Sequence, residues 1–160
     1  MLVVVIIIGI LSGLAYSSFM DIIFSNRARE TAQTMRTFAE RALAEGKRQN
    51  VVVELSLADG DKSMRAAFED DNGDEISNIS QPLSDGFKGD NSTSISEAGT
   101  SRFSNDAVKS KKIIGISGIT ESGHFVACGA RGYCGAAVKI KEKNSFTAWV
   151  KRGKTSWEEL

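Results

Sequence analysis

One histidine, His124, serves a chain of 160 residues. Acid–base chemistry at neutral pH leans on histidine first, so any Ser/His/Asp or Cys/His arrangement would rest on this residue alone. It sits in "ESGHFVACG", at a turn leading into a strand, where a surface position is expected. Phosphate-cradling glycines are missing as well. Gly115, Gly118 and Gly123 match neither the Walker nor the dinucleotide spacing. The expectation is a protein that is not an enzyme and takes no cofactor, no metal and no small-molecule substrate. Proline occurs once, at Pro82, and the formal charge is zero.

There are two cysteines, Cys128 and Cys134, in "CGARGYC". The spacing is too wide for a redox C-x-x-C, and there is no second pair to complete a zinc site. In a domain outside the cytoplasmic membrane a small-loop disulfide is the natural reading, tying a Gly-rich loop between two strands. Two inert buried thiols are the alternative.

Zero net charge conceals an uneven distribution. Residues 61–106 carry a net −6 and residues 107–160 a net +6, while residues 1–60 balance. Such halves either face each other or are solvated. A basic interaction surface on the last third is the sharper possibility.

What is abundant is apolar sequence at the start. "MLVVVIIIGILSGLAYSSF" passes without a charge, and the first charged residue is Asp21. No Lys or Arg precedes the run and no clear small-residue cleavage pattern follows it, unlike a removable signal. About 20 residues at ~1.5 Å each span ~30 Å, the thickness of a bilayer core. Beyond Asp21 the helical period continues through Ile22, Ala28, Thr31, Ala32, Met35, Phe38, Ala39, Ala42 and Leu43. Arg27, Arg29, Glu30, Arg36, Glu40, Arg41 and Glu45 occupy the other faces. Gly46 stands where a helix ends. One continuous helix of about 45 residues is expected, apolar all round in its first half and amphipathic in its second.

This opening resembles the N-terminal helix of type IV pilins and pseudopilins. "MLVVVIIIGIL" matches their consensus from the residue after the assembly glutamate. The cleavage-site glycine, the N-terminal phenylalanine and the glutamate are not in the chain as given. The expectation is a chain that starts inside the family's N-terminal segment, with a degenerate member that cannot be processed as the alternative, so no assembly glutamate is assigned. The resemblance implies a single-pass anchor at about residues 1–20 in the bacterial inner membrane. It also implies other pilin or pseudopilin subunits as partners.

After Gly46 the period changes to two. "NVVVELSLADG" puts Val51, Val53, Leu55 and Leu57 on one face. "SMRAAFEDDNGDEISNI" reads as a hairpin around Asn72-Gly73. "EDDNGDE" fails the calcium-loop template, because Glu75 stands where the invariant glycine belongs. Residues 77–107 are rich in Ser, Asp, Gly and Asn, and a long, mobile connection with one short strand is expected there. Strands then resume in "KKIIGISGI", "GHFVACG", "CGAAVKIK" and "SFTAWVKRG". The fold class expected is α+β, with a helical segment 1–46 packed on an antiparallel β domain 47–160.

Within the pilin superfamily this order is most similar to the GspH/FimT-type minor pseudopilins. Their Phe-x-Asp-x-Asn-Gly hairpin is matched by Phe68, Asp70, Asn72 and Gly73, and Cys128 and Arg152-Gly153 fit more loosely. The resemblance implies a structural minor subunit of a type II secretion pseudopilus or a type IV pilus. A DNA-binding minor pilin and a plain membrane-anchored extracytoplasmic binding domain are the alternatives.

For DNA, or for a partner protein, the candidate surface is Lys139, Lys141, Trp149, Lys151 and Arg152. Lys139 and Lys141 alternate with Val138 and Ile140, and Trp149 and Lys151 share the face opposite Phe146, Ala148 and Val150. If the two strands pair, both sets of cations could meet phosphates while Trp149 stacks on bases. Lysines that merely keep an edge soluble are the competing reading.

Overall fold

The computed structural model describes residues 2–90, 110–114, 123–129, 134–141, 145–152 and 156–160; side chains of 2–18, 110–114, 141, 152 and 156 lie outside the description. The helix α1 (Leu2–Gln49) comes first. The strands are β1 (Val52–Ser56), β2 (Ser63–Glu69), β3 (Glu75–Pro82), β4 (Lys88–Gly89), β5 (Ser110–Ile114), β6 (Gly123–Cys128), β7 (Cys134–Lys141), β8 (Ser145–Arg152) and β9 (Ser156–Glu159). They form two antiparallel sheets, one ordered β3-β2-β1-β5 and the other β4-β6-β7-β8-β9. The α+β class expected from the sequence is the observed one.

The stripe read from the sequence is the face that α1 buries. Ala28, Thr31, Ala32, Met35, Phe38, Ala39, Ala42 and Leu43 are all interior, most of them fully so. Thr31 donates its hydroxyl to the Arg27 carbonyl at 2.8 Å, so its polar atom is satisfied inside the helix. The four alanines let α1 lie close on β7 and β8, its principal neighbours. Those strands answer with Ala136, Val138, Ile140, Phe146, Ala148 and Val150, and β1 and β2 add Val53, Leu55, Met64, Ala66 and Phe68 to the same continuous core.

Ile22 departs from the stripe. It is 58 % exposed, and Phe19 and Met20 beside it are 62 % and 46 % exposed. The domain therefore covers α1 from Ile23 and Phe24 onward and leaves Phe19, Met20 and Ile22 exposed. Among the described residues no helix is long and apolar enough to cross a membrane. The expected anchor at 1–20 falls almost wholly outside the described side chains.

Gly46 does not end the helix. α1 runs on to Gln49, and Asn50 takes the left-handed conformation (φ 56°) that closes it. The Val51 amide donates to the Gly46 carbonyl at 3.0 Å and the Asn50 amide to that of Lys47 at 3.4 Å, the paired bonds of a Schellman cap. Gly46 is instead where β1 crosses the helix: a Cβ there would stand 2.1 Å from the Val53 Cγ2. Replacing glycine by alanine in an exposed helix interior gains about 1 kcal/mol. Here Gly46→Ala is expected to lose roughly 1–3 kcal/mol instead, since Val53 is rigid and fully buried. Combining it with Val53→Ala should recover part of the loss in urea unfolding. Purely additive effects would refute the clash.

The hairpin around Asn72-Gly73 is present as β2–β3. Gly73 supplies a positive φ of 85°. Asp70 Oδ1 accepts the amides of Asn72 and Asp74, both at 2.9 Å. Those bonds, the one from Asp74 foremost, hold the Asp70 carboxyl below the ordinary aspartate range. Of the expected long connection, residues 77–82 belong to β3 and 88–89 to β4. Residues 83–87 and 90 are described outside any strand, and 91–107 lies outside the described residues.

Candidate functional site

Two regions of the fold carry side chains of functional interest: the collar around α1 at Phe24, and the outer face of the β4-β6-β7-β8-β9 sheet behind it.

Among the described side chains of α1, Phe24 is the first aromatic ring held by the domain. It stacks on Phe87 with centroids 5.2 Å apart and planes inclined by 27°. Gly129 and Gly135 close the other side, for a Cβ on Gly129 would stand 2.3 Å from the Phe24 ring and one on Gly135 would be 3.1 Å away. Gly129 and Gly135, each directly after a cysteine, thus have a packing reason: a side chain at either would press on the Phe24 ring. Arg27 adds a contact from the next turn, its Nη1 at 3.5 Å from the Asp85 carbonyl.

Immediately before those two glycines, Cys128 and Cys134 are joined as a disulfide, bridging β6 and β7 at a register irregularity in their pairing. The thiol alternative is thereby set aside. Asp90 is brought to the same spot by β4, whose Lys88 and Gly89 pair with Cys128 and Ala127 and whose ladder continues as Asp90 N–H to the Val126 carbonyl at 3.1 Å. Asp90 Oδ2 lies 3.2 Å from Cys128 Sγ and 3.5 Å from Cys134 Sγ. A disulfide sulfur has no proton to donate, so these are close contacts and not hydrogen bonds. Replacing both cysteines by serine is expected to lower stability by about 2–3 kcal/mol, as loss of a short-loop crosslink does. Denaturant midpoints of the double variant and the parent, both without reductant, read it. Equal midpoints would count against the staple.

The outer face of this sheet carries a buried apolar cluster where a basic, solvated surface was expected. Val126, Cys128, Cys134, Ala137, Trp149 and Trp157 form a second buried cluster. Trp149 is 2 % exposed and donates its indole N–H to Thr147 Oγ1 at 2.8 Å. It is not available to stack on a base. The cause is β9, which the sequence reading did not include: it pairs with β8 and brings Trp157 opposite Lys151. His124 is likewise interior, at 1 % exposure, and not on the surface. It lies on β6, between β4 and β7, and that strand is buried on both faces along its whole length.

The cations are also more dispersed than a phosphate-binding patch requires. β7 and β8 do pair as a hairpin, but Lys139 lies opposite Thr147 while Lys151 lies opposite Trp157. Four residues of strand separate those levels, about 13 Å, with the Ala137–Trp149 pair between them. Lys141 pairs with Ser145 at one end of the hairpin and Arg152 with Ser156 at the other. Lys139 and Lys151 are half-buried. Of the residues in these two regions, Asp90 was invisible to sequence reasoning. It stands 38 positions before Cys128, and only the β4–β6 pairing brings them together.

No protein-family model matches the chain, and no curated protein and no solved structure does either.

Proposed function

We propose that this chain is a structural, non-enzymatic subunit of a type IV pilus or of a type II secretion pseudopilus. In this reading it is a minor (pseudo)pilin whose globular domain stands in the periplasm or in an extracellular filament. Residues 1–20 hold it in the inner membrane before assembly and pack against the helices of neighbouring subunits afterwards.

The observation that carries the reading is the continuity of α1. One helix runs from a buried stripe at Ala28–Leu43 to uncovered Phe19, Met20 and Ile22, and the sequence before Phe19 holds no charged side chain. Exposed apolar residues on a rod that leaves its domain require a cover, and acyl chains or neighbouring helices supply one. A simple anchor would not need an amphipathic continuation matched to a sheet. The DNA-binding alternative loses its stacking residue with the burial of Trp149 and its concentrated charge with the separation of Lys139 from Lys151.

Introducing lysine at Val5 or Ile8 places a charge near the bilayer centre at a cost of about 2.5–3.5 kcal/mol. Expressed as the full chain in a bacterial host, either variant is expected to shift from the membrane to the soluble fraction. Undiminished membrane retention would defeat the anchor. For the assembly half of the proposal, a photo-crosslinker at Ile22 should capture a second helix-bearing subunit. Crosslinks to lipid alone, under conditions in which filaments form, would reduce the chain to an anchored domain.

A further inference from the structure

We infer that the flank of α1 between Glu30 and Arg41 is the seat for a second copy of this chain. The copy docks there by the start of its own α1, Phe19–Glu30, lying parallel and shifted by eleven residues. The inference rests on the subunit reading above and deepens it, since it makes the neighbour the same chain and fixes how far the two helices are offset.

Charge gives the first reason. Within α1, Glu40 is held by Arg36 at 2.8 Å and Glu45 by Arg48 at 2.6 Å. Glu30 and Arg41 are exposed, and neither has an ion-pair partner among the described residues. They cannot meet within one helix, because the eleven residues between them hold them about 16.5 Å apart. Two copies in register would set Glu30 on Glu30 and Arg41 on Arg41. A shift of eleven residues sets one copy's Glu30 against the other's Arg41 instead, and complementary charge is what fixes a register.

Shape gives the second. A groove of about 300 Å³ runs along this flank, with Thr34 and Phe38 between the two charges and Gln81 of β3 on one wall. Under the shift, the second copy's Phe19 comes level with Glu30 and its Ile22 level with Gln33. Apolar residues that the domain leaves exposed then gain a cover.

Period gives the third. Eleven residues make close to three whole turns, so the shift keeps each face where it was. Phe19, Ile23, Asn26 and Glu30 follow one line along α1 at steps of four, three and four, and Thr34, Thr37 and Arg41 continue it from Glu30 at the same steps. The line therefore meets itself: Phe19 on Glu30, Ile23 on Thr34, Asn26 on Thr37 and Glu30 on Arg41. A half-turn about an axis along the helices, with a rise of about 16.5 Å, relates the copies. The contact is open and can repeat. The buried stripe at Ala28, Ala32, Met35 and Ala39 faces away from this line, so the domains stand outside the pair. An antiparallel pair would also join Glu30 to Arg41, but it leaves Phe19, Met20 and Ile22 uncovered and sends the two uncharged N-terminal runs in opposite directions.

The test uses two differently tagged full chains co-expressed in a bacterial host, one carrying Asn26→Cys and the other Thr37→Cys, both at exposed positions. Oxidation of the membranes should yield the mixed 26–37 crosslink. Glu30→Arg in the first chain, or Arg41→Glu in the second, is expected to lower that yield about threefold or more, the scale of an exposed ion pair. The two reversals together should restore it. Salt at about 1 M, which shortens the screening length to about 3 Å, should weaken the parent crosslink. Failure of the double reversal to restore the yield overturns the seat. So does a predominant 37–37 crosslink, which marks helices in register, or a Thr34→Cys to Thr37→Cys crosslink that exceeds the 26–37 one, which marks an antiparallel pair. Capture at Ile22 of a different subunit alone refutes the seat and leaves the subunit reading standing. If the parent chain fractionates as soluble, the subunit reading fails, and the 26–37 crosslink in that fraction still decides the seat.

Discussion

Trp149→Ala is expected to lower stability by about 3–5 kcal/mol, the usual loss when a large buried aromatic ring is cut back. The ring is 2 % exposed and packs with Trp157, Ala137, Val126 and the cystine on the outer face of the larger sheet. Its N–H bond to Thr147 would go as well. Thr147 itself is half-buried, so its hydroxyl is not left stranded and the packing loss dominates. Urea unfolding followed by circular dichroism reads the effect. A solvent-facing stacking residue behaves differently: surface substitutions stay within about 0.5 kcal/mol, and the variant would lose nucleic-acid binding without losing stability. A shift that small would return Trp149 to the surface and reopen the DNA reading.

Phe68→Ala should cost a similar amount, about 3–5 kcal/mol, although Phe68 belongs to the same short motif as the turn residues Asp70, Asn72 and Gly73. The ring is 1 % exposed in the main core, opposite Val53 in the β1–β2 pairing. Asp70→Ala, two positions on, removes only turn bonds at the surface and should cost far less. The two variants also differ in their response to acid. The Asp70 carboxyl is held below its ordinary value in the folded chain. Its stabilisation is therefore present above the unfolded aspartate range near 3.9 and lost as pH falls through the lower folded value. The gap between parent and Asp70→Ala should close as pH drops from about 5 toward 2, over that aspartate range. The gap for Phe68→Ala should persist for as long as the parent remains folded. Equal losses at neutral pH would mean the motif acts as a turn alone.

Much of this architecture was legible in the residues because its signals are periodic and local. Steps of three and four from Ala28 to Leu43 mark a helix face. Alternation at Val53, Leu55 and Leu57, and at Phe146, Ala148 and Val150, marks strands with one side inward. Asn72-Gly73 marks a hairpin because few residues accept a positive φ. Such patterns are written by neighbours in the chain and survive without knowledge of what lies across the fold. They break down where an element has neighbours on every side. β6 is covered on both faces, so His124, placed at the surface by its local context, is interior.

Close approaches were equally hidden. Gly46 reads as a helix stop because glycine is frequent there, yet it was placed by Val53 crossing from β1. The glycines beside the cystine answer to Phe24, more than 100 residues earlier in the chain. By itself the sequence determined that a long helix, apolar and then amphipathic, would pack one stripe on antiparallel strands, and that two cysteines lay close enough to bridge. Only the tertiary structure decided that the strands would divide into two sheets, that β9 would bury Trp149, and that Asp90 would reach the cystine. Each of those depends on which strand edge meets which, and non-local pairing leaves no period in the chain from which it could be read.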